Sequence, residues 1–585
     1  NISIDDREVD IFLAHKVEYL EEVFIKNPPI KKRNNTLVYN ASDFKSTKDR
    51  SIADAMRKMP GLEINSSGEI KYLGEPINKF YVNDMDMMEG KYSMISNNLN
   101  IDDVRSVEIL ENHQPLKVLD SVVPSDRAAI NLKLKNKYTW SGHVTAGAGA
   151  TPGLWYGKFS PMVFTNNFQS LVSYQTNNTG IDVKNDFTEF SISSFRYIRS
   201  TNNRKKWLQL ANLSPPPFSI KRWFDNESHA LSANALFKGK KDFEFKVNAA
   251  YINDYSKKNG SKKTTYKLPE GDLDVDNKTE QSTRDESLDA GFSIERNRKK
   301  DFIKEKFNFS KKWDRGTALI FENKTPQNQG LNTSYIDINN NFELITPFFG
   351  NQMITFDSQI GYNESPQNLE ISPGVFSQIL SPNDSLLKVN QNLFHKRFHA
   401  NHSLDITKKI NTFSFSLRSG IDLSTQNMSS QIFINSNKQS NSKFRNDVTW
   451  RKLSGYFNLD VNYKSDNLNA ILKLPFAIAR YEINDKIRSK KETKNPFTLN
   501  PSFWTEYKFL DFWSISLNLK YHENFGPLNN IYNGYLLTDY RNLKRQDISL
   551  MKTQSKVASF GVKYRDPISN WFANLSLSHS SNECP

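Results

Sequence analysis

From Trp140 onward the sequence alternates, and that period of two constrains the fold more than any other feature. Trp513, Ile515, Leu517, Leu519 and Tyr521 are separated by Ser514, Ser516, Asn518 and Lys520. Phe243, Phe245, Val247, Ala249 and Tyr251 are separated by Glu244, Lys246, Asn248 and Ala250. The same pattern runs through Phe457–Tyr463, Phe413–Leu417 and Leu231–Phe237, and about sixteen such runs can be read. Successive strand side chains point to opposite faces, so each run is a strand with one apolar and one polar face. Strands of ~9–11 residues, tilted, cross a ~25 Å apolar band. Connections alternate in length. Phe237–Phe243 and Phe509–Phe512 read as turns, whereas Lys257–Arg284, Ser424–Asn446 and Asn484–Asn495 read as long, polar, irregular loops. Short turns at one end and long loops at the other mark a transmembrane barrel. A soluble sandwich or propeller would need two packed sheets or a repeat of ~40 residues. No such repeat is visible, and the polar faces are too regular for a packed core. They suit a wet or plugged lumen. The expected fold class is membrane all-β, a large antiparallel transmembrane β-barrel over 138–585.

Composition agrees with strands. Of 585 residues 37% are apolar, and Phe (40) and Tyr (23) are abundant. No stretch approaches the ~18–20 apolar residues of a helical span, which leaves a barrel untouched. The net charge of +14 raises nucleic-acid binding. Lys and Arg placed in polar loops between strands explain it better, and we expect no nucleic-acid partner. A single cysteine, Cys584, excludes a disulfide framework or a cysteine zinc site. The chain opens mid-strand at Asn1-Ile-Ser-Ile-Asp5 with no leader, so a native N-terminus is expected to lie upstream.

Ahead of the barrel, 36–137 reads as a compact α/β unit sized to plug a lumen. Ser51 is an N-cap, with Asp54 three residues on as its capping-box partner. Ile52, Ala55, Met56 and Met59 share a helical face, and Pro60-Gly61 stops the helix. Short strands are expected at Leu62–Ile64, Glu69–Tyr72 and Phe80–Val82. A turn at Asn83-Asp84 leads into a polar, Met-rich connection. Asp102-Asp103 open a helical turn, Val107–Leu110 forms a strand, and Ile130, Leu132 and Leu134 alternate with Asn131, Lys133 and Lys135. Upstream, 1–16 reads as the tail of a small β domain, and 17–35 as a linker interrupted by Pro28-Pro29.

No catalytic constellation is present, and the chain is not expected to be an enzyme or to carry a cofactor. Of nine histidines, His395, His399 and His402 cluster and weigh as a metal site against lumen or loop residues; the latter reading is adopted, with no metal expected. Asp84 and Asp86 weigh as paired carboxylates against turn chemistry. Trp207, Trp223 and Phe224, with Arg204 and Arg222, weigh as a ligand site against an interfacial aromatic girdle.

Together these motifs resemble the TonB-dependent outer-membrane receptors. Ser51-Ile-Ala-Asp-Ala-Met-Arg-Lys-Met-Pro-Gly-Leu62 is similar to the plug motif of that family. Lys79-Phe-Tyr-Val-Asn-Asp84 is similar to its strand and turn, with Asn83-Asp84 replacing the usual Asp-Gly. Val104–Glu111 and Ala128–Lys135 resemble its later plug strands. Asn112–Pro115, Ser125–Ala129 and Leu528–Arg541 resemble the Bacteroidetes-type, SusC-like branch, which carries a carboxypeptidase-regulatory-like domain upstream.

The resemblance implies a 22-stranded barrel with the plug inside, in the outer membrane of a Gram-negative cell. It implies import of a nutrient by plug displacement, driven through the TonB complex. The plug-motif residues it marks are Pro60, Gly61, Asn83, Asp84 and Arg127. Leu20, Glu21, Glu22, Val23, Phe24 and Ile25 resemble a TonB box; read from the residues alone, 17–25 is equally a linker strand. The strand count falls short of twenty-two and the chain ends at Asn582-Glu-Cys-Pro585, so C-terminal strands are expected to be missing or supplied elsewhere. Outer-membrane lipids and an unidentified nutrient are implied partners. A surface lipoprotein or other outer-membrane subunits are a further option. The alternative function is a plugged-barrel structural or assembly subunit without transport of its own.

Overall fold

The computed structural model describes residues 28–120, 125, 127–190, 204–322, 325–349, 352–382, 385–439, 441–510, 512–525, 531–546, 550–566 and 571–583. The stretch expected to be an upstream domain tail and the candidate segment Leu20–Ile25 lie outside the described residues.

The N-terminal unit is built as its motifs require. Strands β1 (Ile30–Arg33), β2 (Thr36–Asn40), β6 (Lys79–Val82), β7 (Val104–Leu110) and β8 (Ala129–Leu134) form one sheet in the order β1-β2-β7-β8-β6. Strands β3 (Leu62–Ile64), β4 (Ile70–Tyr72) and β5 (Glu75–Pro76) form a second. Helix α1 (Ile52–Met56) starts with the expected capping box: the Ser51 amide donates to the Asp54 carboxylate at 3.0 Å. Gly61 then takes φ +80°, a left-handed value that a side chain resists, and the chain turns into β3. The Tyr39 hydroxyl donates to the Pro60 carbonyl at 2.9 Å, pinning the turn to the main sheet. Ile52, Met56, Ile70, Val107, Ile109, Ile130 and Leu132 are fully buried in one core. One expectation is corrected here: the Met-rich stretch after Asp84 is no polar connection, because Met85, Met87 and Met88 are buried in that core.

Next comes the wall. Antiparallel strands run from Thr139–Gly149 to Trp571–Glu583, in an order that curls into a barrel. Lys490–Lys494, Phe497–Leu499 and Ser502–Phe509 pair in turn along Leu468–Asp485 and act as one interrupted strand. Counted so, and setting aside the two-residue strand Asn437–Lys438, the described wall has seventeen strands, against the twenty-two that the resemblance implies. The last strand, Trp571–Glu583, neighbours the first, Thr139–Gly149, so the wall closes on itself.

Alternation holds along the wall with apolar side chains outward. Leu231, Phe237, Phe245, Val247, Phe415 and Phe457 are exposed, while Ser232, Asn234, Lys246 and Arg418 are buried. No described helix is long and apolar enough to cross a membrane. The loops expected at Lys257–Arg284 and Ser424–Asn446 are largely strand instead. Phe243–Leu268 and Gly271–Asn297 pair without interruption from Phe243↔Arg296 to Leu268↔Gly271, projecting as a long hairpin. Thr264, Thr265 and Tyr266 favour strand, and backbone pairing satisfies what a polar loop would leave to water. Ser424–Ile434 continues its strand, and of the third expected loop Lys490–Lys494 is strand.

Candidate functional site

The site is the plugged lumen, where apolar packing and charge hold the N-terminal unit in the wall. Met162, Phe164, Leu171 and Leu236 of the wall join the plug core. Gln169 donates to the Val82 carbonyl at 2.7 Å, and Asn297 to the Pro115 carbonyl at 2.7 Å. The Asn100 amide donates to Ser141 at 3.1 Å, and His143 meets the Arg50 carbonyl at 2.9 Å.

One tie is ionic. Glu89 follows the buried methionines on a left-handed turn (φ 47°) beside Gly90, and the turn aims its carboxylate at the wall. There it meets Lys304 at 2.8 Å, Lys306 at 2.7 Å and Lys246 at 3.8 Å. Glu295 balances this cluster from the next strand, 3.0 Å from Lys304 and 3.4 Å from Lys246. Lys246 and Lys304 are each 1% exposed, so their charges depend on these partners. Burial alone would raise the Glu89 carboxyl, but the three lysines hold it well below the usual carboxylate range. Within the plug, Lys79 meets Asp86 at 2.6 Å. Burial works against the Lys79 ammonium, yet Asp86 and Glu295 raise it above its ordinary value. His113 contacts the Tyr81 hydroxyl at 3.0 Å; burial, then Lys79, lowers the imidazole to about 4 and keeps it neutral.

The sequence-marked residues fall at the plug's turns. Asn83 and Asp84 both take positive φ (48° and 67°) and close a hairpin, with the Val82 amide donating to the Met85 carbonyl at 2.9 Å. Asn and Asp tolerate this conformation better than other side chains, so the pair substitutes for a glycine-containing turn. Asn131 donates to Asp84 at 2.8 Å and Lys133 meets it at 2.7 Å, while Asn83 accepts from the Leu134 amide at 3.0 Å. Asp84 and Asp86 therefore diverge, one on Lys133 and one on Lys79, and are not a carboxylate pair. Arg127 contributes its backbone carbonyl, which accepts from the His113 amide at 2.8 Å. Pro60, Gly61, Asn83, Asp84 and Arg127 thus shape the plug; the ionic contact with the wall is made by Glu89, which the sequence reading missed. Its signal was there: Lys246, Lys304 and Lys306 occupy the inward phase of strands whose outward phase is apolar.

The histidine cluster does not converge. His395 and His399 are buried, whereas His402 is exposed on the other face. No metal-holding group of His, Cys, Asp or Glu occurs among the described residues. Trp207 corrects the girdle reading, because it sits inside. Its loop turns into the barrel, its ring lies 6.1 Å from both His395 and Tyr532, and its amide donates to Gln367 at 3.0 Å. Ile531–Leu537, expected as barrel, is likewise a connection folded onto the inner wall, with Tyr532, Leu536 and Leu537 buried. A cavity of about 370 Å³ remains between plug and wall, bordered by Glu89, Lys91, Lys306, Asp337, Asn339 and Asn341 among others.

No protein-family model matches the chain, and no curated protein does. The chain aligns with several solved structures. The ferric yersiniabactin uptake receptor FyuA from Yersinia pestis aligns over 94% of this chain and 90% of its own, at 10% identity and TM-score 0.33. The siderophore receptor PiuA from Acinetobacter baumannii aligns over 95% and 90%, at 11% identity and TM-score 0.31. The ferric citrate transporter FecA aligns over 94% and 96%, at 8% identity and TM-score 0.29.

Proposed function

We propose that this chain is a gated outer-membrane receptor that imports a nutrient when its plug is displaced. The observation that carries the reading is the Glu89 contact: a compact N-terminal unit tied to a polar-lined barrel by a buried ionic cluster. An apolar-out, polar-in wall suits lipid outside and solute inside. A plug seated by side-chain packing, hydrogen bonds and ion pairs, with no strand shared with the wall among the described residues, can leave without unfolding the wall. In this reading the segment Leu20–Ile25 is the handle, an extended peptide that adds a strand to the sheet of a TonB-type partner. Pulling it strains the Glu89 contact and widens the cavity beside it into a path. The SusC-like placement, an upstream carboxypeptidase-regulatory-like domain and a surface lipoprotein partner belong to the same proposal.

Deleting Leu20–Ile25 in cells is the test. Uptake of the cognate nutrient is expected to stop while surface binding persists. Undiminished uptake by the deletion variant would overturn the energised mechanism.

A further inference from the structure

A second group of inward side chains lies farther along the wall from the Glu89 cluster, and it is rich in donors. Arg397 and His399 point into the barrel from Val389–Ile410, on the same phase as His395. Their cross-strand partners are Asn363 and Gly361 on one side and Gln426 and Ser424 on the other. His399 is 4% exposed, and neither ring nitrogen has a hydrogen-bond partner among the described residues. The Ser424 hydroxyl beside it is also buried without a partner. Arg397 is buried at its Nε without a partner there, and the carboxylates that act on its charge are Asp422 and Asp337. Buried donors are nearly always satisfied, so several in one patch call for an acceptor.

The acceptors nearby are already engaged. Asp337, two strands away in the row Asp337↔Asn363↔Arg397, receives Tyr335 at 3.2 Å and also Asn339. Asp422 is held by Lys452 at 2.7 Å. Further positive charge comes from the inward-folded loop. Lys205 lies over the Trp207 ring at 5.3 Å, and that ring is beside His395. Burial, then Arg397, pulls the Lys205 ammonium down to about 8, as crowding of cations requires. Gly361 shows that the place is shaped around the imidazole: a Cβ there would come within 2.1 Å of His399 Cε1. Asp337 and Asn339 also border the cavity beside the plug, so the patch adjoins the route that plug displacement would widen.

We infer that Arg397, His399 and Ser424 form a subsite for an anionic oxygen group, a carboxylate or a phosphate, on the transported solute. A guanidinium gives two parallel donors to either group, and the imidazole and hydroxyl add donors from the next positions. The inference rests on the import reading for its biological meaning. Its chemistry is read on the purified protein without any energy source.

Full-length protein in detergent, with intact fold verified by heat-modifiable mobility, is titrated with citrate, inorganic phosphate and, as a neutral solute, maltose. Tryptophan fluorescence reports binding near Trp207. Saturable binding of citrate, of phosphate or of both is expected, with none for maltose; whichever anion binds identifies the group. Arg397→Met and His399→Gln should weaken it by roughly tenfold to a hundredfold, the worth of a hydrogen bond to a charged group. Gly361→Ala, which displaces His399 and removes no donor, should weaken it too. Lys396→Met, on the outward face of the same strand, should leave it unchanged. Absence of saturable binding of either anion to the wild type would overturn the subsite. So would folded His399→Gln binding as tightly as wild type. Neither outcome bears on Leu20–Ile25, so a failed subsite and a failed import mechanism remain separable.

Discussion

The plug and the wall use the same alphabet with opposite polarity. In the plug, Ile130 and Leu132 of β8 are buried. In the wall, Val247 and Phe245 are exposed, and it is Lys246 that is buried. The two regions differ in what surrounds them. The plug is a small water-type domain whose apolar groups must find each other, whereas the wall turns its apolar groups to lipid and keeps its polar groups for the lumen. Where the two surfaces meet, the plug presents a carboxylate and the wall presents lysines. The seam is therefore the place where the two solvation schemes are joined by charge.

Reversing the charge at that seam is expected to have the largest effect. Glu89→Lys puts another ammonium among Lys246, Lys304 and Lys306, and losing one partner of a buried pair costs about 3–5 kcal/mol. In planar bilayers the variant should open conducting paths at lower urea than wild type. Equal urea thresholds would show that the apolar contacts of Met162, Phe164, Leu171 and Leu236 seat the plug without help from charge. The next effect lies in the wall, where two adjacent residues should respond differently. Val247→Arg faces lipid and should destabilise the barrel by about 2–4 kcal/mol near the midplane. Asn248→Arg faces the lumen and should cost little. Urea titrations of heat-modifiable mobility in vesicles separate the two, and equal losses would break the inside-out assignment.

Much of this contrast could be read in the residues. Strand period, outward phase, the Ser51–Asp54 cap and the Pro60-Gly61 stop are local properties, set by neighbours a few positions away. The Asn83-Asp84 turn was legible for the same reason. Glu89 was not, because its lysine partners lie more than a hundred residues on and only the register of the wall brings them together. Trp207 was misplaced because an aromatic residue in a polar loop reads the same whether the loop stands at an interface or folds inward. The Lys257–Arg284 hairpin was taken for a loop because its outward phase is polar above the apolar band, which removes the hydropathy contrast but not the backbone pairing. The ligand patch at Arg397 and His399 was half visible: the histidines were noticed, while the unsatisfied donors beside them exist only in three dimensions.

The smallest expected effect is on pH dependence, and it belongs to the plug side of the seam. Glu89 has its carboxyl held below its ordinary value in the folded chain, so its contribution is present above about 4.5 and is lost as pH falls. His113 is lowered from 6.5 to about 4, so it stays neutral when folded while the unfolded chain would protonate it. Its contribution is full above 6.5 and declines as pH falls from 6.5 toward 4. Both groups therefore loosen the plug on acidification, His113 first and Glu89 after it. Lys79 is raised and stays charged throughout this range, so it adds no opposing slope. Plug release in urea, followed from about pH 7.5 to 3, should shift to lower urea in two stages, the first between 6.5 and 4 and the second beginning below about 4.5. His113→Gln should remove the first stage and leave the second. A midpoint independent of pH across that range would mean that the seam is held by packing, and the plug would then differ from the wall in shape alone rather than in charge.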